Sequence, residues 1–136
     1  VFDLPEVAEA ASARVAEASL SDRCTIEKGS FFDGVPQGGG VYLLAKVLHD
    51  WDDDVAVKIL QRVRESADED TRLLILDSVI TSDESSRRTK LLDLVLLALV
   101  NGRERTSSQW SQLLDRGGWA VTSIENGLIE AIAASL

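Results

Sequence analysis

The stretch RLLILDSVI, residues 72–80, decides how this chain is read. From Leu73 to Leu76 it is continuously hydrophobic. Such a run fits a β-strand buried on both faces, as inside a parallel sheet, better than the alternation of a half-solvated strand. Just upstream, Ala56, Ile59, Leu60, Val63 and Ala67 recur at i, i+3, i+4, i+7 and i+11, which predicts a helix over roughly 53–67. Before that helix stands a second strand, VYLL (41–44). The preceding PQGGG (36–40) invites a phosphate-loop reading. A phosphate cradle, however, needs a strand, then glycines, then a helix. Here the glycines lead into a strand, so they are read as a turn.

The alternation continues in both directions. At the start, VFD reads as the end of a strand, and Pro5 suits the first position of a helix. That helix carries Val7, Ala11, Val15 and Ala18 at helical spacing. CTIEK (24–28) is a short strand. Downstream, a polar loop, TSDESSRR (81–88), leads to a mostly apolar helix over 89–100. Thr106 or Ser107 caps a further helix carrying Trp110, Leu113 and Leu114, which Gly117 and Gly118 end. WAVTSIE (119–125) and LIEAIAA (128–134) flank Asn126-Gly127, a strong hairpin signal. The prediction is an α/β sheet in which one late strand is reversed.

The 136 residues suit one domain, and 45% hydrophobic content is enough for a core. Acidic residues outnumber basic ones 23 to 14, a net charge of −9. That sign repels phosphate backbones and argues against a nucleic-acid partner. Cys24 is alone, which excludes an internal disulfide, and it reads as a half-buried packing residue. The longest apolar run, LVLLALV (94–100), is far too short to span a bilayer. With no signal-peptide pattern either, a cytoplasmic protein without a membrane partner is expected. The chain contains no methionine and opens in mid-strand, so the polypeptide is expected to begin upstream.

The only histidine, His49, lies in LLAKVLHDWDDD (43–54). It could be a catalytic base, a metal ligand or a residue at a helix start. The metal reading would recruit Asp50, Asp52, Asp53 and Asp54. Carboxylates at adjacent positions of a helix start point in different directions. They are better read as an N-cap and as favourable charges at the positive end of the helix dipole. No metal is therefore expected. The residues alone leave base and bystander open.

Four stretches in order, FDLPEV (2–7), GSFFD (29–33), LHDWDD (48–53) and GRERT (102–106), bear on that choice. Together they resemble the C-terminal part of S-adenosylmethionine-dependent O-methyltransferases acting on small aromatic or polyketide hydroxyls. These include plant caffeate-type and bacterial antibiotic-tailoring enzymes. The resemblance implies a Rossmann-like class I methyltransferase sheet, mostly parallel with a reversed last strand and N-terminally incomplete. Residues 1–136 would form the C-terminal part of its catalytic domain. The family's N-terminal dimerisation domain and glycine-rich loop have no counterpart here. The missing first strand would lie between the strand ending at Asp3 and that at 41–44. The full-length protein would be a homodimer.

The resemblance also implies roles for individual residues. S-adenosylmethionine would be the cofactor, with Asp3 and Leu4 at its ribose and Ser30 and Phe31 at its adenine. Ser30 replaces the family's usual aspartate and loses its charge. The plainer readings are that Asp3 caps the first helix and that Phe31 is core packing. His49 would be the general base, its imidazole taking the proton of a small-molecule hydroxyl acceptor. Asp77 and Glu104 would fix its tautomer. Asp77 is shorter than the glutamate common there, so Glu104 is expected to do more of the orienting. The family's lysine, four residues before the histidine, falls on Ala45, so its role is not carried to Lys46. Leu97 and its helix would line the acceptor pocket, although core or dimer packing is expected along most of that helix. Trp51 and Trp110 read as packing anchors, and Arg103 and Arg105 as partners of nearby carboxylates. Two rival readings stand beside the enzyme. One is a non-catalytic remnant or interaction scaffold unable to hold cofactor alone. The other is a cofactor-binding protein with different chemistry.

Overall fold

The structure, a computed structural model, describes residues 1–81 and 87–134, with only the backbone of Arg88. In chain order the elements begin with β1 (Phe2–Asp3), α1 (Pro5–Glu17), β2 (Glu27–Lys28), β3 (Val41–Ala45), a 3-10 turn (Leu48–Asp50) and α2 (Asp53–Glu65). There follow β4 (Arg72–Leu76), β5 (Val79–Ile80), α3 (Arg87–Val100), β6 (Arg105–Thr106), α4 (Ser107–Arg116), β7 (Trp119–Glu125) and β8 (Leu128–Ala133). The main sheet runs β3-β4-β8-β7. β3 and β4 pair in parallel, Leu43 opposite Leu74, while β8 lies antiparallel to both β4 and β7. The reversed strand is thus β8. Its hairpin turns through Asn126 and Gly127, both at positive φ (50° and 82°), the geometry an Asn-Gly pair favours. A Cβ on Gly127 would also stand 2.9 Å from the Asp77 carbonyl oxygen.

One face of this sheet makes the core. α2 contributes Ala56, Ile59, Leu60 and Val63, and α4 contributes Trp110, Leu113 and Leu114. They pack with Leu73, Ile75, Ile129 and Ala131 of the sheet. Each buried aliphatic side chain contributes about 1.5–3 kcal/mol. Both helices start as the sequence suggests. Asp52 caps α2 by accepting from Val55 N at 2.9 Å, and Thr106 caps α4 in a reciprocal box with Gln109.

Other expectations need correction. The stretch 72–80 is not one strand: it breaks at Asp77-Ser78, and β5 pairs with β6 in a separate two-stranded sheet. Asp77 Oδ1 accepts its neighbour's amide, Ser78 N, at 3.1 Å, a local bond that competes with ladder pairing. Nor is β4 covered on both faces. Leu73 and Ile75 are fully buried, whereas Val41, Leu43, Leu76 and Ile132 on the opposite face are exposed. The strand expected over 24–28 shortens to Glu27–Lys28, paired with β1. α1 buries Ala8 and leaves Val7 exposed, so its packed face is rotated from the expected one. α3 is apolar all round yet carries exposed leucines, Leu97 among them; core packing is not its role among the described residues. It begins at Arg87, two residues before the expected start. Most of the polar loop read at 81–88 lies outside the described residues. No described helix is long and apolar enough to cross a membrane.

Candidate active site

The 3-10 turn that carries His49 is fixed from behind. Leu48 is fully buried. Arg105, also fully buried, donates through Nη1 to Leu48 O and through Nη2 to Trp51 O, each at 2.9 Å. Its Nε reaches Asp53 Oδ1 at 2.9 Å, and its guanidinium lies over the Trp110 ring, 5.2 Å from the centroid. Burial pulls the Arg105 guanidinium below its usual pKa, and the bond and charge of Asp53 oppose that without cancelling it. Burial pushes the Asp53 carboxyl up, but the bonds and charges of Arg105, then Arg103, outweigh it and hold it below the usual carboxylate range. Arg103 and Arg105 both pair with a carboxylate, Asp53, as expected, and Arg105 is in addition a fully buried strut. Gly102 completes the support: a Cβ there would collide with His49 O, which Arg103 N reaches at 2.8 Å.

The chain brings three of the expected residues together. His49 Nδ1 lies 3.3 Å from Asp77 Oδ1 and 3.4 Å from Glu104 Oε1. Both carboxylate side chains have no exposed surface, and the imidazole is 11% exposed. A carboxylate can only accept, which assigns the ring proton to Nδ1 and leaves Nε2 with its lone pair. Only the Glu104 contact has hydrogen-bond geometry. Nε2 faces Asp50 Oδ1 at 3.5 Å. Asp77 Oδ2 and Glu104 Oε2 are buried and take no hydrogen bond. The three ligand atoms lie within 4.8 Å of one another, a set that could hold a metal ion; orienting an imidazole accounts for it without one. Sequence reasoning missed Asp93 on α3, whose Oδ1 accepts from Glu104 N at 2.7 Å and sets that glutamate's backbone.

The residues expected at a cofactor also gather. Asp3 ends β1, and Gly29 N donates to Asp3 O at 2.9 Å, which sets Ser30 beside it. Asp3 Oδ1 accepts from Leu4 N at 2.8 Å. The N-cap of α1 is Leu4, with no side-chain cap, so Asp3 is not the capping residue. Leu4 is partly exposed. Ser30 Oγ accepts from Phe32 N at 3.2 Å. Phe31 packs partly against the core and meets Trp51 edge to face at 6.2 Å. That contact ties the 29–33 loop to the His49 turn.

Comparison with known proteins decides the family. Residues 1–120 match the family model described as O-methyltransferase domain. The chain belongs to that family. It is 40% identical over 124 residues to a phenazine O-methyltransferase of Lysobacter antibioticus, covering 91% of this chain and 36% of that protein. It is 43% identical over 124 residues to an 8-amino-8-demethylriboflavin N,N-dimethyltransferase of Streptomyces davaonensis, covering 91% and 36%. Its fold matches NcsB1, an O-methyltransferase from neocarzinostatin biosynthesis solved with S-adenosylmethionine and 2-hydroxy-5-methyl naphthoic acid. That match has a TM-score of 0.89 at 35% identity and covers 98% of this chain and 40% of the other. The chain therefore spans well under half the length of the relatives it matches.

Proposed function

We propose that this chain is the C-terminal part of the catalytic domain of an S-adenosylmethionine-dependent O-methyltransferase. Its acceptor would be a hydroxyl on a small aromatic or polyketide-type molecule. One observation carries the proposal: a buried imidazole held through Nδ1 by buried carboxylates, so that Nε2 is left as a base. The cluster of Asp3, Ser30 and Phe31 next to that turn suits the ribose and adenine of the cofactor. Asp3 would accept from the ribose hydroxyls, Leu4 and Ser30 would flank the nucleoside, and Phe31 would offer an apolar ring edge. When bound, the cofactor supplies a methyl carbon made electrophilic by a positive sulfur.

The chain's own residues do the rest. His49 Nε2 takes the acceptor proton as the new C–O bond forms, and Glu104, with Asp77 beside it, stabilises the resulting imidazolium. Arg105 and Gly102 hold the turn so that the base keeps its position. The need for a base favours a hydroxyl over an amine acceptor. A neutral phenol is a poor nucleophile until its proton leaves, whereas an amine attacks through its own lone pair. The family resemblance and the sequence extend the proposal to a cytoplasmic, homodimeric protein.

Calorimetric titration with S-adenosylmethionine tests the cofactor half of this reading. The longest polypeptide carrying this chain should bind, and Asp3→Ala should abolish or sharply weaken binding. Absence of binding would favour the non-catalytic scaffold instead. Undiminished binding by Asp3→Ala would remove the ribose role.

A further inference from the structure

Two buried carboxylates converge on one imidazole nitrogen, yet Nδ1 has one proton to give. The geometry divides them. Glu104 Oε1 makes the hydrogen bond. Asp77 Oδ1 is as near, at 3.3 Å, but lacks that geometry. Its donors lie elsewhere: Ser78 N at 3.1 Å and Lys46 Nζ at 3.4 Å. The same ammonium donates to Ser78 Oγ at 3.0 Å. Lys46 itself sits at φ 56°, a left-handed conformation unusual for lysine. Its amide holds Leu76 O at 3.0 Å, so the chain leaves β3 with this side chain placed beside Asp77. A strained backbone persists at a site only where the surroundings fix it.

We propose that Lys46 is a positioning residue: it claims Asp77 as its counter-ion and leaves Glu104 as acceptor of the His49 Nδ1–H. This rests on the base role read for His49 and adds a residue that the family pattern does not supply at this position. The charged groups around His49 are Asp50, Asp77 and Glu104 at the ring. Lys46 lies behind Asp77, Asp93 behind Glu104, and Arg103, Arg105 and Asp53 behind the turn. Of these carboxylates, Asp77 is the one that Lys46 bonds. Without Lys46, Asp77 would compete with Glu104 for the Nδ1 hydrogen.

His49 is the only histidine in the chain, so nitrogen-15 spectra of its ring in the 136-residue chain need no assignment. Lys46→Met should shift the Nδ1 nitrogen and Nδ1–H proton resonances, as that hydrogen passes from Glu104 alone to being shared with Asp77. Lys46→Arg should keep the wild-type spectrum, and Asp77→Asn should cancel the effect of Lys46→Met. An unchanged ring in Lys46→Met would overturn the proposal. So would equal changes in the Met and Arg variants, or a change that survives Asp77→Asn. In turnover assays of the longer polypeptide, Lys46→Met should lower kcat and leave KM in place; a loss confined to KM would contradict it. The ring spectrum needs neither cofactor nor acceptor, so its failure is distinct from failure of the methyltransferase reading.

Discussion

α3 and α4 are neighbours in the chain and opposites in the fold. α4 gathers its apolar residues on one face, starts at a capping box and buries Trp110, Leu113 and Leu114 against the sheet. α3 is richer in leucine and valine, yet Leu91, Leu94, Leu97 and Leu99 are all more than half exposed. Apolar content does not place a helix in a core; a one-sided pattern does. What α3 gives the site is polar: Asp93 reaches out to the Glu104 amide. The segment joining the two helices, residues 101–106, carries Glu104 and Arg105, so the Glu104 carboxylate hangs between a packed support and an exposed one.

The sharpest break of this contrast is Trp110→Ala. It should cost about 3–5 kcal/mol in urea unfolding, the usual loss for a large buried aromatic side chain. Arg105→Met follows. It keeps the volume but removes the donor to the Trp51 carbonyl, at about 1–3 kcal/mol for that group, leaves Leu48 O only the 3.4 Å bond from Trp51 N, and should loosen the His49 turn. A stability cost with an unchanged His49 ring spectrum would deny Arg105 its positioning role. A smaller effect concerns acid. Asp53 has a lowered carboxyl pKa in the fold, so its stabilisation is full above the ordinary carboxylate pKa of about 3.9 and is lost as pH falls through the lowered value. Asp53→Asn should therefore be less stable than wild type at pH 6 and approach it near pH 2, checked by thermal melts across that range. The smallest effect is expected on α3, where Leu97→Ala should shift stability by no more than about 0.5 kcal/mol, as at other exposed positions. A core-sized loss there would erase the contrast between the helices.

Sequence alone carried the reader far into this fold. Helical spacing located α2 and α4, and Asn-Gly located the hairpin, because those signals are local. The break at Asp77-Ser78 was hidden, since a side-chain bond to the next amide leaves no mark in hydrophobicity. The exposed face of β4 was hidden too: continuous apolar sequence reports what could be buried, not what covers it. At the site, the resemblance pointed to His49, Asp77 and Glu104, and the fold brings all three to one nitrogen. Arg105 and Asp93 escaped because their work is done on backbone groups, which no side-chain motif records. A fully buried arginine looks, in sequence, like any surface arginine beside a glutamate.

The central claim is that His49 acts as the base of a methyl transfer. The direct measurement is single-turnover transfer of labelled methyl from S-adenosylmethionine to hydroxynaphthoic acid and phenol probes by the longest polypeptide carrying this chain, with His49→Gln beside it. The account predicts that His49→Gln still binds the cofactor but transfers methyl about 10²–10⁴-fold more slowly. Transfer at the wild-type rate by His49→Gln would contradict it and return that imidazole to a structural part of the turn.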